Sequence, residues 1–408
     1  MDGAESMYRT NYLERASGKI DRYLEKYGSS PWKANLRFFL WFLMQPFRIP
    51  LRWMHPKRDK ICRIAFDLRG GVGDIIVALN FIQNFSRFLD AEKVEHVIDL
   101  YVPPNKERRT ITKVLCRGQS FVRSVRPPSM LRRDCDLHIE IFRAPDPLYI
   151  NRPKVVTLSP KLLDWCDALV AFRNENRLVY RNGTPGNYIG TQLAILQGRN
   201  RLQLGDFGNL IGVKSTFRPE IPPNFRETLA KFGLTDTPFI TLQRGIGGGD
   251  RNAGTRLWPQ EHYEKLIAMV HERLPGVKIV QLGVLRNLPL CGVDVDLRGK
   301  TSFEELAAIL TASRCHIDGE CGMVHLRHFF SAGPSVVLFG PTNEHFYGYP
   351  ENFNLRSDAC PGGCELITTY YVRKCPRGLD ENVCLTRILP ETVLEKIAET
   401  LGEQSCSG

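Results

Sequence analysis

The chain has 408 residues and a formal net charge of +11, and 43% of its residues are hydrophobic. This length is more than one ordinary hydrophobic core organises, so we expect two domains. No apolar run reaches the roughly 20 residues that a membrane-spanning helix needs, and residues 1–5 do not begin a secretory leader. We therefore expect neither a transmembrane nor an exported protein, and we expect a cytoplasmic location.

Residues 1–59 form a basic extension ahead of the first predicted strand. Between Lys33 and Lys60, seven Lys or Arg residues accompany one acidic residue, Asp59, and aromatic and aliphatic residues lie among them. Such a segment suits the headgroup layer of an anionic membrane, and we expect peripheral association with the inner face of the inner membrane. The alternative is a helical arm that packs on the domains. Nucleic acid is not expected as a partner, because no recognition motif accompanies the charge.

A first array of strands and helices follows the extension. A short apolar strand over 61–66 leads through a Gly-rich turn into a helix over 74–89, and a second strand covers 97–102. This order is typical of a βαβ unit and predicts a parallel sheet. A linker with several prolines, near 217–225, ends the array.

A second array repeats the pattern after the linker. Its predicted strands cover 239–242, 278–282, 315–317 and 335–339, and its predicted helices cover 226–232, 261–273, 302–312 and 323–330. We therefore predict an α/β protein with two Rossmann-like domains, residues 60–225 and 226–389, that face a common cleft. A last helix within 390–408 is expected to pack back across the first domain.

The turn after the first strand carries an acidic residue in place of a complete dinucleotide motif. Gly71 and Gly73 match the first two glycines of the Gly-x-Gly-x-x-Gly pattern, but the third position is Ile76. The third glycine lets the helix pack closely on the strand, so a dehydrogenase site is not expected. Asp74 opens the helix, where its ordinary role would be N-capping. At the carboxyl edge of a parallel sheet it could instead act as a general base.

The corresponding turn of the second array spans residues 318–326, which follow a strand and open a helix. The N–H groups of this turn form an anion site suited to a diphosphate, and they belong to Cys321, Gly322, Met323 and Val324. Glu320 at the tip of the loop has helix capping as its ordinary role. His325, one turn into the helix, would on its own more often be a core or surface histidine.

Four of the twelve cysteines lie within 25 residues of predicted loop, and these are Cys360, Cys364, Cys375 and Cys384. In a reducing compartment such a cluster favours a tetrahedral thiolate site for zinc or iron. The alternative is a reduced loop whose thiols only pack. A metal held by four protein ligands would be structural, because no coordination position stays open to a substrate.

Four segments occur in an order and spacing that resembles the ADP-heptose-dependent heptosyltransferases, glycosyltransferase family 9. They are Gly73-Asp74, Arg256-Leu257-Trp258-Pro259, Gly322 with His325-Leu326, and Phe339-Gly340-Pro341-Thr342-Asn343. The resemblance covers about residues 60–395 and is weak between about 105 and 235. It implies a GT-B fold that binds the acceptor in the first domain and an ADP-sugar in the second, with chemistry that needs no metal cofactor.

The resemblance also implies roles for single residues. Asp74 would be the catalytic base, and Arg256 with the amides of Gly322 and Met323 would stabilise the departing ADP. The other implied donor-binding residues are Glu320, Cys321, Val324, His325 and Thr342, and the acceptor-side turn contains Gly71 and Gly73. Family members carry a similar four-Cys loop, which binds iron in the subgroup that heptosylates autotransporter proteins.

The sequence departs from the family pattern at three places. Arg256 stands where the family usually has Lys, and Glu320-Cys321 replaces Asp followed by Ser or Thr. A Glu expected after the strand that ends at Leu282 is absent, and Arg286 and Asn287 stand there. These departures leave the donor sugar open.

We predict an inverting transferase that moves a heptose from an ADP-heptose-like donor to a hydroxyl of an envelope glycan or glycolipid, such as lipopolysaccharide core. One alternative is a transferase that uses another nucleotide sugar or a protein acceptor. The other is an inactive nucleotide-binding or assembly module.

Overall fold

The computed structural model describes most of the chain after residue 59. The described residues are 60–102, 106–127, 135–142, 144–175, 191–192, 194–203, 206, 210–212, 215–245, 254–367, 371–379 and 381–402. The basic extension, and with it the predicted membrane-surface segment, lies outside them. No helix among the described residues has both the length and the apolar character to cross a membrane.

The first half of the described chain contains a five-stranded sheet in the order β3-β2-β1-β4-β5. Its strands are β1 (Cys62–Leu68), β2 (His96–Tyr101), β3 (Ser124–Arg126), β4 (Leu137–Phe142) and β5 (Ala144–Ile150). The accompanying helices are α1 (Val72–Ala91), α2 (Lys106–Leu115), α3 (Arg152–Leu158) and α4 (Pro160–Glu175). All pairings are parallel except that of β5 with β4. The central strand β1 is buried at six of its seven positions, as expected when helices cover both faces.

The second half contains, among the described residues, a six-stranded parallel sheet in the order β11-β10-β9-β6-β7-β8. Its strands are β6 (Phe239–Gln243), β7 (Lys278–Leu282), β8 (Val295–Asp296), β9 (His316–Gly319), β10 (Ser335–Leu338) and β11 (Phe353–Leu355). The helices are α5 (Phe225–Lys231), α6 (Gln260–Arg273), α7 (Phe303–Ala312), α8 (Gly322–Phe330), α9 (Glu344–Tyr347), α10 (Val383–Thr386) and α11 (Pro390–Leu401). The predicted α/β class with Rossmann-like parallel sheets is confirmed.

The last helix, α11, packs on α6 and on β10 of the second half, and its packing across the first domain stays a prediction. Its buried face, Val393, Leu394 and Ile397, belongs to the same apolar cluster as Trp258 of the second half. The indole Nε1 of Trp258 donates a hydrogen bond of 2.9 Å to the carbonyl of Ile388, just before the helix. The helix therefore completes the core that lies nearest to it in sequence.

The linker between the two halves is anchored by a buried aromatic residue, Phe217, which is 0% exposed. Its ring packs edge-on against Phe121 of the first half at 5.9 Å between centroids, and lies 6.3 Å from Phe329 of α8. The backbone N–H of Phe217 donates a 2.8 Å hydrogen bond to Oδ1 of Asn80, a buried residue of α1. The linker is thus fixed to α1 and α8 together, and one continuous apolar cluster joins the halves.

We expect Phe217→Ala to lower the free energy of unfolding by about 3–5 kcal/mol, because it leaves a cavity between the two halves. Urea denaturation measures the change. Ile221→Ala is the matched control, since Ile221 lies in the same linker but is 54% exposed, and a surface substitution of this kind costs at most about 0.5 kcal/mol. Equal destabilisation by the two variants would contradict the anchoring role.

Candidate functional site

The turn that opens α1 contacts the turn that opens α8. Both helices follow strands that lie inside their sheets, β1 and β9, and the carboxyl ends of such strands are where ligands bind in open α/β sheets. The contact depends on Gly73, where an added Cβ would come within 2.5 Å of Cδ2 of His325 and 3.2 Å of Cα of Gly322. A glycine at this position therefore allows the backbones of the two turns to touch. The structure brings Asp74 and the Gly322 turn to one place.

Asp74 lies in the first turn of α1, and both of its carboxylate oxygens accept hydrogen bonds. Oδ2 accepts from the backbone N–H of Gly71 at 2.8 Å, which is the capping role. Oδ1 accepts from Nη2 of Arg201, with which Asp74 also forms an ion pair. Arg201 begins a short 3-10 turn, Arg201–Gln203, and is 5% exposed. Capping and ion pairing thus hold the carboxylate in one orientation.

His325 is a buried, neutral histidine in the contact between the turns. Nη1 of Arg201 donates to its Nε2 at 2.8 Å, and because a guanidinium cannot accept, the ring proton must lie on Nδ1. Nδ1 then donates to the hydroxyl of Tyr349 at 2.6 Å. Burial, together with the charge of Arg201, lowers the pKa of His325 below its usual value. The histidine is therefore a fixed acceptor towards Arg201.

Glu320 is ionised and lies between a cation and the histidine. Its Oε2 accepts from Nη2 of Arg256 at 2.9 Å, and its Oε1 lies 3.5 Å from Nε2 of His325. Burial opposes ionisation, but the charge of Arg256 outweighs it and lowers the pKa of Glu320 to about 2. The two residues predicted at this edge, Arg256 and Glu320, thus form a partly buried ion pair.

Cys321 caps α8 through its sulfur. Sγ accepts from the backbone N–H of Met323 at 3.4 Å and donates to Oδ2 of Asp318 at 2.5 Å. Burial, reinforced by the charge of Asp318, raises the pKa of Cys321 well above its usual value, so it remains a thiol. A thiol is a weak acceptor, and a phosphate oxygen would bind the amide of Met323 more strongly. Of the other predicted residues in this turn, Val324 is buried in an apolar cluster with Phe339.

A chain of buried polar groups supports the turn from inside the sheet. Oδ2 of Asp318 lies 3.2 Å from Nε2 of His316, and Nδ1 of that ring lies 2.9 Å from Oγ1 of Thr241 on the neighbouring strand β6. Asp318 is 1% exposed and His316 is 0% exposed. Because rearranging a buried hydrogen-bonded chain is costly, these residues fix the position of the α8 N-terminus.

Thr342 follows β10, the strand next to β9, and is buried. Its carbonyl accepts a hydrogen bond from Nη2 of Arg356. The neighbouring Asn343 donates its backbone N–H to Oε1 of Glu365 at 2.7 Å, and Glu365 is fully buried. This segment is thus held at the same edge as the Gly322 turn, with its backbone already bonded.

The four cysteines of the loop line one pocket together with Thr255, the residue before Arg256. Burial, together with neighbouring thiols, raises the pKa of Cys364, and the same causes raise that of Cys384 to about 11. Four sulfur donors suit zinc or iron chemically. Within the part of the chain that the structure describes, however, no group of three or more His, Cys, Asp or Glu side chains is arranged to hold a metal ion.

Two residues of the site were missed by the sequence analysis, Arg201 and Tyr349. Arg201 lies in the region between 105 and 235, where no motif marks a single arginine. Its contact with Asp74 joins residues 127 positions apart. Tyr349 follows a glycine in a loop, where a tyrosine gives no signal. Only the fold brings these two side chains to the contact between the turns.

We expect Gly73→Ala to destabilise the protein by about 1–3 kcal/mol, because the new Cβ would overlap the ring of His325. Gly322→Ala is the matched control on the other side of the same contact. An added Cβ there would find its nearest atom, the backbone N of Gly73, at 3.5 Å, which is ordinary contact. Urea denaturation compares the two, and a neutral Gly73→Ala would show that the turns are not in contact.

Comparisons with known proteins find solved structures of similar fold but no match to the sequence. The sequence matches no protein-family model and no curated protein. The structure is similar to that of ADP-heptose lipopolysaccharide heptosyltransferase II from Escherichia coli, with a TM-score of 0.50, 16% identity, and 83% of this chain and 98% of that one covered.

Two further solved structures are similar over a comparable length. A family 9 glycosyltransferase from Veillonella parvula gives a TM-score of 0.53 at 17% identity, with 83% of this chain and 97% of that chain covered. The iron-containing dodecameric glycosyltransferase TibC from enterotoxigenic E. coli gives 0.53 at 13% identity, with 84% and 77% covered. The chain therefore shares its fold with solved glycosyltransferases of family 9.

Proposed function

We propose that the protein is an inverting glycosyltransferase that moves a sugar from an ADP-activated donor to a hydroxyl acceptor. The observation that carries the proposal is the contact at Gly73, which brings the Asp74 carboxylate at the start of α1 to the N-terminus of α8. The fold shared with family 9 glycosyltransferases supports it. In this reaction Asp74 is the base and the α8 turn binds the diphosphate.

The groups at this contact account for the proton, the bonds and the leaving group of the proposed reaction. Asp74 takes the proton of the acceptor hydroxyl while that oxygen forms a bond to the anomeric carbon. The bond from this carbon to the diphosphate breaks, and its electron pair leaves on the ADP oxygen. Arg256 and the amides of Gly322 and Met323 stabilise the growing negative charge in place of a metal ion. Attack opposite the leaving group inverts the anomeric configuration.

Glu320 and Thr342 are proposed to bind the donor sugar and the nucleotide side of the site, together with His325. An ionised carboxylate only accepts hydrogen bonds, so Glu320 is suited to sugar hydroxyls and not to the diphosphate. Glu320 is paired with Arg256, so the sugar would lie on the Glu320 side of this pair and the phosphates on the Arg256 side. Cys321 and Val324 contribute backbone amides, and Gly71 with Gly73 forms the turn on the acceptor side.

We propose a heptose donor and an envelope glycan or glycolipid acceptor, in line with the names of the similar structures. One of them is described as a lipopolysaccharide heptosyltransferase, and another is TibC in complex with ADP-D-β-D-heptose. The basic extension 1–59 supports a cytoplasmic protein that works on the inner face of the inner membrane, because its composition suits anionic headgroups.

An inactive nucleotide-binding module is the second candidate, and one observation favours it. Both oxygens of Asp74 already accept hydrogen bonds, one of them from a charged group. Such a module would bind ADP and release none from an ADP-sugar, so a turnover assay separates the two candidates.

We expect Asp74→Asn to lower the rate of sugar transfer by about 100- to 10,000-fold, because a carboxamide cannot take the proton. The fold should stay that of the wild type, since the shape of the side chain is kept. Mass spectrometry of products formed from ADP- and UDP-sugars with envelope extracts measures the transfer.

Asp90→Asn is the matched control for this experiment. Asp90 lies near the other end of the same helix and its side chain is 69% exposed, so we expect full activity. An Asp74→Asn variant that transfers sugar at the wild-type rate would show that another group is the base.

We also propose that the four cysteines hold a structural zinc or iron once a metal is supplied. Elemental analysis of the purified protein should find stoichiometric metal, and the double variant Cys364→Ser, Cys384→Ser should lose it and melt at a lower temperature. Cys291→Ser is the control, because Cys291 is exposed and outside the cluster. Equal metal content in all three proteins would contradict the assignment.

A further inference from the structure

Arg201 connects the base and the helix turn that face each other in the proposed active site. Its guanidinium bonds to Asp74 of α1 through Nη2 and to His325 of α8 through Nη1. Its Cζ lies 5.5 Å from the centre of the Tyr347 ring, and the side chain is 6% exposed. A buried cation therefore occupies the space between the two sheets where donor and acceptor would react.

One nitrogen of this guanidinium makes no hydrogen bond within the described part of the chain. Nε of Arg201 is buried and has no hydrogen-bond partner among the described residues. Buried polar groups are nearly always bonded, so an unpaired one at the contact between the two turns indicates an acceptor that a ligand supplies. Phosphate oxygens match the planar fork of arginine better than any other common ligand except a carboxylate.

The same contacts restrain Asp74. A general base needs a lone pair within about 2.6–3.2 Å of the hydroxyl that it deprotonates. Oδ1 of Asp74 bonds to Arg201 and Oδ2 bonds to the amide of Gly71. The contact with Arg201 thus occupies Oδ1 with a charged donor.

We propose that Arg201 binds the donor diphosphate and that this binding frees Asp74 for the acceptor. In the donor-free protein Arg201 is bonded to Asp74 and His325. When the diphosphate reaches the α8 turn, the guanidinium turns to its oxygens and leaves Oδ1 to the acceptor hydroxyl. The inference rests on the proposed function and adds an order to it: the donor binds first and the acceptor second.

The protonation of His325 should report the movement of Arg201 from Asp74 to the diphosphate. Its ring faces the charges of Arg201, Glu320 and Asp74, and Tyr349 bonds to its Nδ1. Burial and Arg201 lower the pKa of His325 in the donor-free protein. If Arg201 turns to a diphosphate, a cation leaves and a polyanion arrives, and both changes raise that pKa. Nε2 can then hold a proton and donate it to Oε1 of Glu320, 3.5 Å away.

The test is calorimetric titration of the full chain with ADP near pH 7, in two buffers of different ionisation enthalpy. The wild type should take up protons on binding ADP. Arg201→Gln should bind ADP about 10- to 100-fold more weakly, the range for a lost charge-assisted hydrogen bond, and should take up fewer protons. Arg201→Lys keeps the charge without the planar fork, so its affinity should lie between the two.

Two controls make the result specific. Arg123→Gln removes another Arg–Asp pair, with Asp99, at the start of β3 and so at the end of the strand away from Asp74. It should bind ADP and protons like the wild type. His325→Gln should abolish the proton uptake if His325 is the group that titrates.

Each outcome decides between the proposals. A wild type that does not bind ADP overturns the proposed function and this inference with it. A wild type that binds ADP, with Arg201→Gln equal to it in affinity and proton uptake, overturns the inference and leaves the transferase intact. Should Arg201→Gln fail to fold, Arg201→Lys decides, because wild-type affinity in that variant contradicts a two-point contact with phosphate.

Discussion

The close approach of two helix N-termini at Gly73 is the constraint on which the site depends. The partial positive ends of α1 and α8 point into the same gap, and like ends of helix dipoles repel unless anionic groups lie between them. Asp74 and Glu320 supply that negative charge, and Arg201 and Arg256 offset it within the contact. The contact is therefore built from alternating charges, and a diphosphate entering it would replace interactions that already exist.

Much of the fold could be read from the sequence because buried parallel strands are short apolar runs between turn residues. The predicted start of α7 at residue 302 agrees with the structure, in which Ser302 and Glu305 form a capping box and each side chain bonds to the backbone of the other residue. The last helix shows what such patterns do not predict. Its pattern gave the bounds, but which sheet it covers depends on where Trp258 and its neighbours leave an apolar surface.

The residues of the candidate site also differ in how far the sequence predicts their positions. Asp74 follows a strand end of the first sheet, and Glu320 and His325 follow a strand end of the second. Their placement at the carboxyl edges of the two sheets follows from topology, and the structure brings these edges together. Arg201 belongs to no regular element of the first sheet, and its role depends on a long-range contact. The four cysteines illustrate a third case: their clustering in sequence predicts a shared pocket, but the spacing of their sulfur atoms depends on loop geometry that no pattern specifies.

The anchoring of the linker has a consequence for motion between the two sheets. Asn80, which bonds to Phe217, is six residues beyond Asp74 on the same helix, or about 9 Å at 1.5 Å per residue. A rotation that pivots near Phe217 displaces atoms in proportion to their distance from it. Asp74 would then shift little while the outer rims of the sheets separate widely. A bulky ligand could thus enter between the rims while the spacing around Asp74 stays almost unchanged.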